Sequence, residues 1–330
     1  MKTKTTIGII GVRGYVGREL LNLLAMHEQL SVCWVSSRQL AGQSVSTLLQ
    51  VNEKFPFNPL PENHYFNQLI VEDLSANGLN SRAADIVVLA LPNGLAAPFV
   101  EAITNNGNTK VIIDLSADYR FDKQWNYSVP ELLSSQKQAS FKEDGLIKIS
   151  NPGCYATAMQ IAIAPLIGKI IGRANCFGIS GYSGAGTTPS ETNDVKKLKD
   201  NILPYVLLEH LHEKEVSHQL NLPVSFTPHV AEFFRGISMT VQIELKTSSS
   251  LEEIQSLFEE FYTNQTSIKV TESIPNIQQV VNSPKCHVGG FKLSENGKRL
   301  TLVSCLDNLL KGAASQALQN IELAIDYDAN

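Results

Sequence analysis

Cys154 stands apart from the other four cysteines of the chain. It follows Asn151-Pro152-Gly153, a loop ending, and opens the helical run Tyr155-Ala-Thr-Ala-Met159. A thiol in the first turn of a helix faces unpaired backbone N–H groups and the positive end of the helix dipole, both of which lower its pKa. The resulting thiolate attacks carbonyl carbon at neutral pH and can leave again as thiolate, so this placement offers covalent catalysis. An inert cysteine at a helix start is the alternative. Cys33, Cys176, Cys286 and Cys305 lie in or beside strand-like apolar runs, where cysteine usually serves as a small hydrophobe.

A second constellation is Gly8-x-x-Gly11-x-x-Gly14-x-x-Gly17, between a strand-like run and a helical pattern. Glycines there permit a tight turn, let the backbone approach a pyrophosphate and leave the helix N-terminus facing the anion. A glycine-rich turn without a ligand is the competing reading. The end of the following strand distinguishes the dinucleotides. An NAD site places Asp or Glu there to hold the ribose hydroxyls, whereas this chain has Ser36-Ser37-Arg38. Two hydroxyls and a guanidinium suit a 2′-phosphate that a carboxylate would repel, so NADP(H) is expected. A solvated Arg38 is the bland alternative.

The elements that must position these groups are legible as an alternation. Thr5 to Ile10 is a β-branched run, and Val16, Leu20, Leu23, Leu24 and His27 recur at helical spacing after it. Ser31 to Val35, Asp85 to Leu91 and Val111 to Leu115 read as strands of the kind buried on both faces in a parallel sheet. A helix is expected from Cys154 to about Ile170. Strands then dominate: Val224 to Val230, Ile237 to Leu245, Ile268 to Thr271, Val288 to Leu293 and Arg299 to Leu306, the last two joined through Asn296-Gly297. Ser250 caps an amphipathic helix, and Asn308 to Ile325 reads as a long final helix. The fold class expected is α/β: a Rossmann-type doubly wound parallel sheet plus an α+β domain with a mostly antiparallel mixed sheet.

Composition bounds the partners. The 330 residues carry Lys+Arg 27 against Asp+Glu 32, a net charge of -5. Nothing there favours nucleic acid or an anionic membrane surface. No apolar run is long enough to span a bilayer. The stretch from Ile7 to Gly17 is broken by glycines and carries Arg13, unlike the apolar part of a secretion signal. An odd number of cysteines without paired spacing fits a reducing compartment, so a cytoplasmic protein is expected.

The stretch Ile149-Ser-Asn-Pro-Gly-Cys154-Tyr-Ala-Thr-Ala-Met resembles the active-site signature of the N-acetyl-γ-glutamyl-phosphate reductases of arginine biosynthesis. Other segments match in order: Gly11-x-x-Gly14-Tyr15-x-Gly17, Ser36-Ser-Arg38, Ile113-Asp-Leu-Ser-Ala-Asp-Tyr-Arg120, Val129-Pro-Glu-Leu132, Ser180-Gly-Tyr-Ser183-Gly184-Ala-Gly186, His210-Leu-His212 with Glu215, Phe226 through Arg235-Gly-Ile237, and Asp307-Asn308-Leu-Leu-Lys-Gly-Ala313. The resemblance spans nearly the whole chain.

It implies an NADP-dependent oxidoreductase in which Cys154 attacks an acyl phosphate, phosphate leaves, and NADPH reduces the thioester to an aldehyde. A histidine near pH 7 suits the proton exchange at the thiohemiacetal oxygen. The resemblance favours His210 for it, with His212 second. Residues two apart on a helix point in different directions, so one of them is expected at the sulfur. Arg120 and Arg235 match the positions expected to hold the substrate's anionic groups. Structural ion pairs are their alternative. Gly11, Arg13, Gly14, Tyr15, Gly17, Ser36, Ser37, Arg38, Ser183, Gly184 and Asn308 are the expected cofactor contacts, with Asn308 at the nicotinamide amide, capping the last helix, or both. If Asn308 touches cofactor, the last helix rejoins the first domain, giving 1–150 with 307–330 for NADP and 151–306 for catalysis and oligomerisation. No histidine pair has a metal-ligand set, so no metal is expected. The expected partners are the acyl phosphate, inorganic phosphate and further copies of the chain, as dimer or tetramer.

Two departures stand out. Arg13 occupies a turn position where the family commonly has a small residue, and could add a pyrophosphate contact. Thr187 follows Gly-Ala-Gly where Arg or Lys is more usual, which leaves an N-succinyl or carrier-linked (lysine-pathway) substrate open. Aspartate-semialdehyde dehydrogenase shares the thioester logic, but is expected to carry histidine directly after Arg-Gly, where this chain has Ile237. A non-catalytic NADP-binding sensor is the alternative outside enzymes.

Overall fold

The computed structural model describes residues 4–134 and 145–325. The chain start 1–3 and the last five residues of the expected 307–330 segment lie outside the described residues. The chain divides into two compact units, Met1–Pro152 with Ala313–Asn330, and Gly153–Gly312.

The first unit is built on β1 (Thr5–Ile10), β2 (Leu30–Ser36), β3 (Val71–Glu72), β4 (Ile86–Leu89), β5 (Val111–Asp114), β6 (Asn126–Tyr127) and β7 (Ile147–Ser150). Among the described residues these form one parallel sheet in the order β3-β2-β1-β4-β5-β7-β6. The apolar runs of β4 and β5 are buried throughout, as a sheet covered on both faces requires. Strand order reverses between β1 and β4, the place where open α/β sheets hold ligands at the carboxyl ends of the strands. Helix α1 (Tyr15–Ala25) buries Leu20, Leu21 and Leu24, and α2 (Ala97–Asn106) ends on Gly107 in the left-handed region.

The second unit carries β8 (Ile170–Gly181), β9 (Ile202–Pro204), β10 (Val224–Ala231), β11 (Ile237–Leu245), β12 (Ile268–Thr271), β13 (Cys286–Leu293) and β14 (Arg299–Leu306). Their order is β12-β13-β14-β11-β8-β10-β9. The pairs β8/β10 and β12/β13 are parallel and the remaining pairs antiparallel. Helix α3 (Cys154–Ile163) is buried along its whole length after the first residue, as its small and apolar sequence demands. The unit also carries helices α4 (Leu211–Leu220) and α5 (Leu251–Phe261) beside a single helical turn at Val195–Leu198, α5 opening on a capping box of Ser250 and Glu253. The last helix, α6 (Ser315–Ala324), belongs to the first unit.

Two expected helices are shorter than the sequence pattern. The run from Cys154 stops at Ile163 rather than near Ile170: Pro165 cannot continue the hydrogen-bond ladder, a single 3-10 turn follows, and Ile170 starts β8. The segment from Asn308 is not one helix. A π-helical turn over Leu310–Ala314 precedes α6. Strand β8, between β11 and β10 inside the second sheet, carries no strand signal in the sequence. Its inward positions are small (Ala174, Cys176, Gly178), while the large Phe177 faces outward. This inverts the usual apolar-in signal. The reason is a neighbour: a Cβ at Gly178 would lie 2.7 Å from the Tyr155 ring.

Candidate active site

In the second unit Cys154 is the first residue of α3, and no side chain caps that helix. The preceding loop is held at its last residue. The Gly153 N–H donates to Glu215 Oε1 at 2.9 Å, and Glu215, on α4, is fully buried. Cys154 thus sits at a helix N-terminus, where backbone amides and the helix dipole favour an anion. Gly312, in the π-helical turn, backs the cysteine: a Cβ there would lie 2.7 Å from Cys154 Cβ. Single π turns of this kind recur at functional sites.

Around Tyr155, the residue after the cysteine, stands a group of rings. Tyr155 packs on Phe226 (4.8 Å between centroids), His212 (6.0 Å) and His210 (6.4 Å), and its hydroxyl donates to the His229 carbonyl at 2.6 Å. His210 and His212 are 4.9 Å apart. They do not share a helix face, because His210 precedes α4 as its N-cap. Its Nδ1 accepts the His212 N–H at 3.1 Å. That bond leaves Nδ1 unprotonated and the hydrogen of the neutral ring on Nε2. Burial pushes the His210 imidazolium down to about 4, so the ring is neutral at neutral pH.

Tyr205 is a residue the sequence reading missed. It lies just after β9, with its ring 5.7 Å from His210. Burial, and next the charge of Cys154, push its phenol well above the usual tyrosine range. Val206 and Glu209, at φ of 42° and 57°, bend the segment between Tyr205 and His210 in a conformation uncommon for side-chain-bearing residues. A phenol five positions ahead of the His-x-His pair was the available signal. The backbone bend that makes it matter was not visible.

Ser183 and Asn308 are both buried and joined by a 2.9 Å hydrogen bond from Asn308 Nδ2, while Asn308 Oδ1 accepts the Gly236 N–H at 2.7 Å. Gly184 follows in the same 3-10 turn. The capping role that was Asn308's alternative falls to Asp307, whose Oδ1 accepts the Leu309 and Leu310 N–H groups. Asp307 also pairs with Arg235, at 2.7 Å from Nε, and both side chains are buried.

In the first unit the Gly11 and Val12 N–H groups both donate to the Ser36 carbonyl, at 2.8 and 3.3 Å, stitching the glycine turn to the end of β2. Gly11 has φ of 97°, and a Cβ on it would lie 2.2 Å from the Ala90 carbonyl oxygen beside β4. Gly14 caps α1 without a side chain, Gly17 packs on Val12, and Tyr15 stacks toward Phe55 at 5.8 Å. This cradle, with open helix amides, fits the pyrophosphate of a dinucleotide. Ser36 Oγ accepts the Leu74 N–H, whereas Arg38 is exposed and makes no ion pair among the described residues. Arg13 donates from Nη1 to Gln39 Oε1 at 2.6 Å.

Arg120 is also in this unit. Its Nε donates to the Asn151 carbonyl at 3.1 Å and its Nη2 to the Leu115 carbonyl at 3.3 Å. Nearby, burial pushes the Asp114 carboxyl up to about 6 against two hydrogen bonds from Ser116 that lower it. Among the described residues no cluster of three His, Cys, Asp or Glu side chains could hold a metal ion, and no helix is long and apolar enough to cross a membrane.

Known proteins agree with this arrangement in both units. The family described as semialdehyde dehydrogenase, NAD binding domain, matches residues 6–140, and that described as semialdehyde dehydrogenase, dimerisation domain, matches residues 154–308. N-acetyl-γ-glutamyl-phosphate reductase of Xanthomonas campestris pv. campestris (strain 8004) is 47% identical over 324 residues, covering 98% of this chain and 96% of that protein. The protein of the same name from Stenotrophomonas maltophilia (strain R551-3) is 46% identical over 323 residues, with the same coverage. Among solved structures, aspartate semialdehyde dehydrogenase II of Vibrio cholerae, complexed with ASA, superposes with a TM-score of 0.76 at 18% identity, covering 98% of this chain and 99% of that one. Aspartate semialdehyde dehydrogenase of Candida albicans with NADP gives 0.75 at 16% identity, covering 97% and 98%. The fold is therefore the semialdehyde dehydrogenase one, and the near half identity along the full chain decides the branch: this chain belongs to the N-acetyl-γ-glutamyl-phosphate reductase family.

Proposed function

We propose that the chain reduces N-acetyl-γ-glutamyl phosphate to N-acetylglutamate 5-semialdehyde with release of inorganic phosphate, using NADPH, in arginine biosynthesis. The observation that carries this reading is Cys154 on the first turn of a helix whose preceding residue is bound by Glu215, with His210 and His212 packed on the ring of the next residue, Tyr155. Cys154 Sγ attacks the acyl carbon, the bond to phosphate breaks, and a thioester remains on Cys154. Bound NADPH supplies the hydride. The α3 amides face the oxyanion, and the rest of the barrier is lowered by positioning.

The two histidines divide the proton work. His210 protonated on Nδ1 would lose its cap bond, so it serves as a neutral donor from Nε2, and His212 exchanges the proton. This reverses the order that the motif alone favours. Asn308 keeps one amide hydrogen beyond its bond to Ser183 and turns it to the nicotinamide carboxamide, with Ser183 and Gly184 alongside. Gly11, Gly14, Tyr15 and Gly17 hold the pyrophosphate. Ser36, Ser37 and Arg38 hold the 2′-phosphate, a role supported by the lack of a carboxylate partner on Arg38. Arg120 and Arg235, which match the family's motif positions, are assigned to the substrate's anionic groups.

A second copy is assigned to the open face of the second sheet. Ile171, Phe177 and Ile179 of β8 lie there among Thr227, Ser238 and Thr240, and Ile171 and Phe177 are 58% and 43% exposed. Large apolar side chains exposed on a sheet face mark an interface. Five free cysteines suit the cytoplasm.

The test runs the reaction backwards. With N-acetylglutamate semialdehyde, phosphate and NADP+, NADPH absorbance is expected to rise, and Cys154→Ser to abolish it. Turnover by the variant would remove the thioester route. Acetyl, succinyl and carrier-linked substrates, run as a panel, decide the acyl group.

A further inference from the structure

Arg13 departs from the small residue usual in the glycine turn, and its direction is fixed by a bond that the sequence did not suggest. The guanidinium Nη1 donates to the side-chain oxygen of Gln39 at 2.6 Å. Gln39 lies in the 3-10 turn Arg38–Leu40 directly after β2. The glycine turn is stitched to the same place, since the Gly11 and Val12 N–H groups share the Ser36 carbonyl. Arg13 therefore reaches across to the β2 end of the turn.

We infer that Arg13, held by Gln39, is a second guanidinium for the 2′-phosphate of NADPH, facing it together with Arg38. This rests on the NADPH reading above.

The charges around it support the assignment. Gln39 is a neutral acceptor, so it orients the guanidinium without cancelling its charge, as a carboxylate in its place would do. Arg38 has no ion-pair partner among the described residues, and neither does the Ser37 hydroxyl have a hydrogen-bond partner. Glu72, which ends the neighbouring strand β3, is committed to Arg82, whose Nε donates to it at 3.0 Å. Arg18, one turn further along α1, sits over the Phe55 ring at 5.9 Å and feels the repulsion of Arg13. Guanidinium groups at both sides of one turn, with the neighbouring acid already paired to Arg82, suit an anion, and a planar guanidinium matches phosphate oxygens two at a time.

Direct binding tests this without turnover. Dissociation constants for NADPH, NADH, adenosine 2′,5′-bisphosphate and 5′-AMP are measured by calorimetry on the wild type, Arg13→Met and Gln39→Leu. Arg13→Met is expected to weaken NADPH and the bisphosphate roughly tenfold to a hundredfold, and NADH and 5′-AMP by less than about twofold. Gln39→Leu should produce a smaller loss on the same two ligands. Equal losses for NADPH and NADH would put Arg13 on the pyrophosphate and overturn the inference, while a wild-type preference for NADPH keeps the underlying reading. No loss with any ligand overturns it too. A wild type that binds NADH as tightly as NADPH sinks both.

Discussion

Cys154 owes its surroundings to residues remote in sequence, and Gly312 is the sharpest case. Because a Cβ there would stand 2.7 Å from that of Cys154, Gly312→Ala must push the cysteine off its position. Overpacking of this kind costs about 1–3 kcal/mol. We expect turnover and the rate of iodoacetamide labelling at Cys154 to fall at least about tenfold together. An unchanged labelling rate would mean that the turn yields instead. His210 gives a pH prediction. Its folded pKa of about 4 lies below the ordinary value of about 6.5, so the unfolded chain binds the proton more readily. Its contribution to stability is full above about pH 6.5 and is lost as pH falls through about 4. Asp114 works oppositely: raised to about 6, it contributes fully below about pH 3.9 and loses this as pH rises through about 6. His210→Asn keeps a capping oxygen and removes the titration. The melting temperature of the variant should therefore fall less than that of wild type between pH 7 and 4, and parallel curves would contradict the assignment.

Among the elements, α6 holds the segment that follows β7 within the first unit. Asn320 donates from Nδ2 to Asn151 Oδ1 at 3.0 Å and to the Ser128 carbonyl at 3.3 Å, and all three residues are buried. Asn151 also donates to the Ala313 carbonyl, receives Arg120 on its own carbonyl, and lies three positions before Cys154. Asn320→Leu strands two buried acceptors, each costing about 1–3 kcal/mol. The urea midpoint should drop accordingly, with kcat falling beyond what the unfolded fraction explains. A stability loss with full kcat would confine Asn320 to the fold. The existence of these elements was largely readable, since β-branched runs and a Ser250-Glu253 capping box are local signals. Their ends were not, because Pro165 and the π turn at Leu310 matter only once the following strand or helix has a place to go.

For the molecule as a whole, the outward side of β8 is the feature that no single strand accounts for. The parallel β10 and antiparallel β11 flank it, and Phe177 stacks against the His229 ring at 4.4 Å on that face. Phe177→Asp should leave a smaller species by light scattering, because a buried unpaired carboxylate at an interface costs several kcal/mol. An unchanged mass would move the contact to another surface.

The amino-acid sequence alone specified the glycine turn at the first strand, the helix that starts on Cys154 and the Ser36-Ser37-Arg38 ending. Each follows from backbone sterics and spacing within a few residues. Tertiary structure decided the rest. It turned His210 into a helix cap, paired Arg235 with Asp307, spent Arg120 on the Asn151 carbonyl, and brought Tyr205, Gly312 and Gln39 to the groups they serve. Those outcomes depend on which buried donor meets which acceptor across distant segments, and a linear pattern carries no record of that.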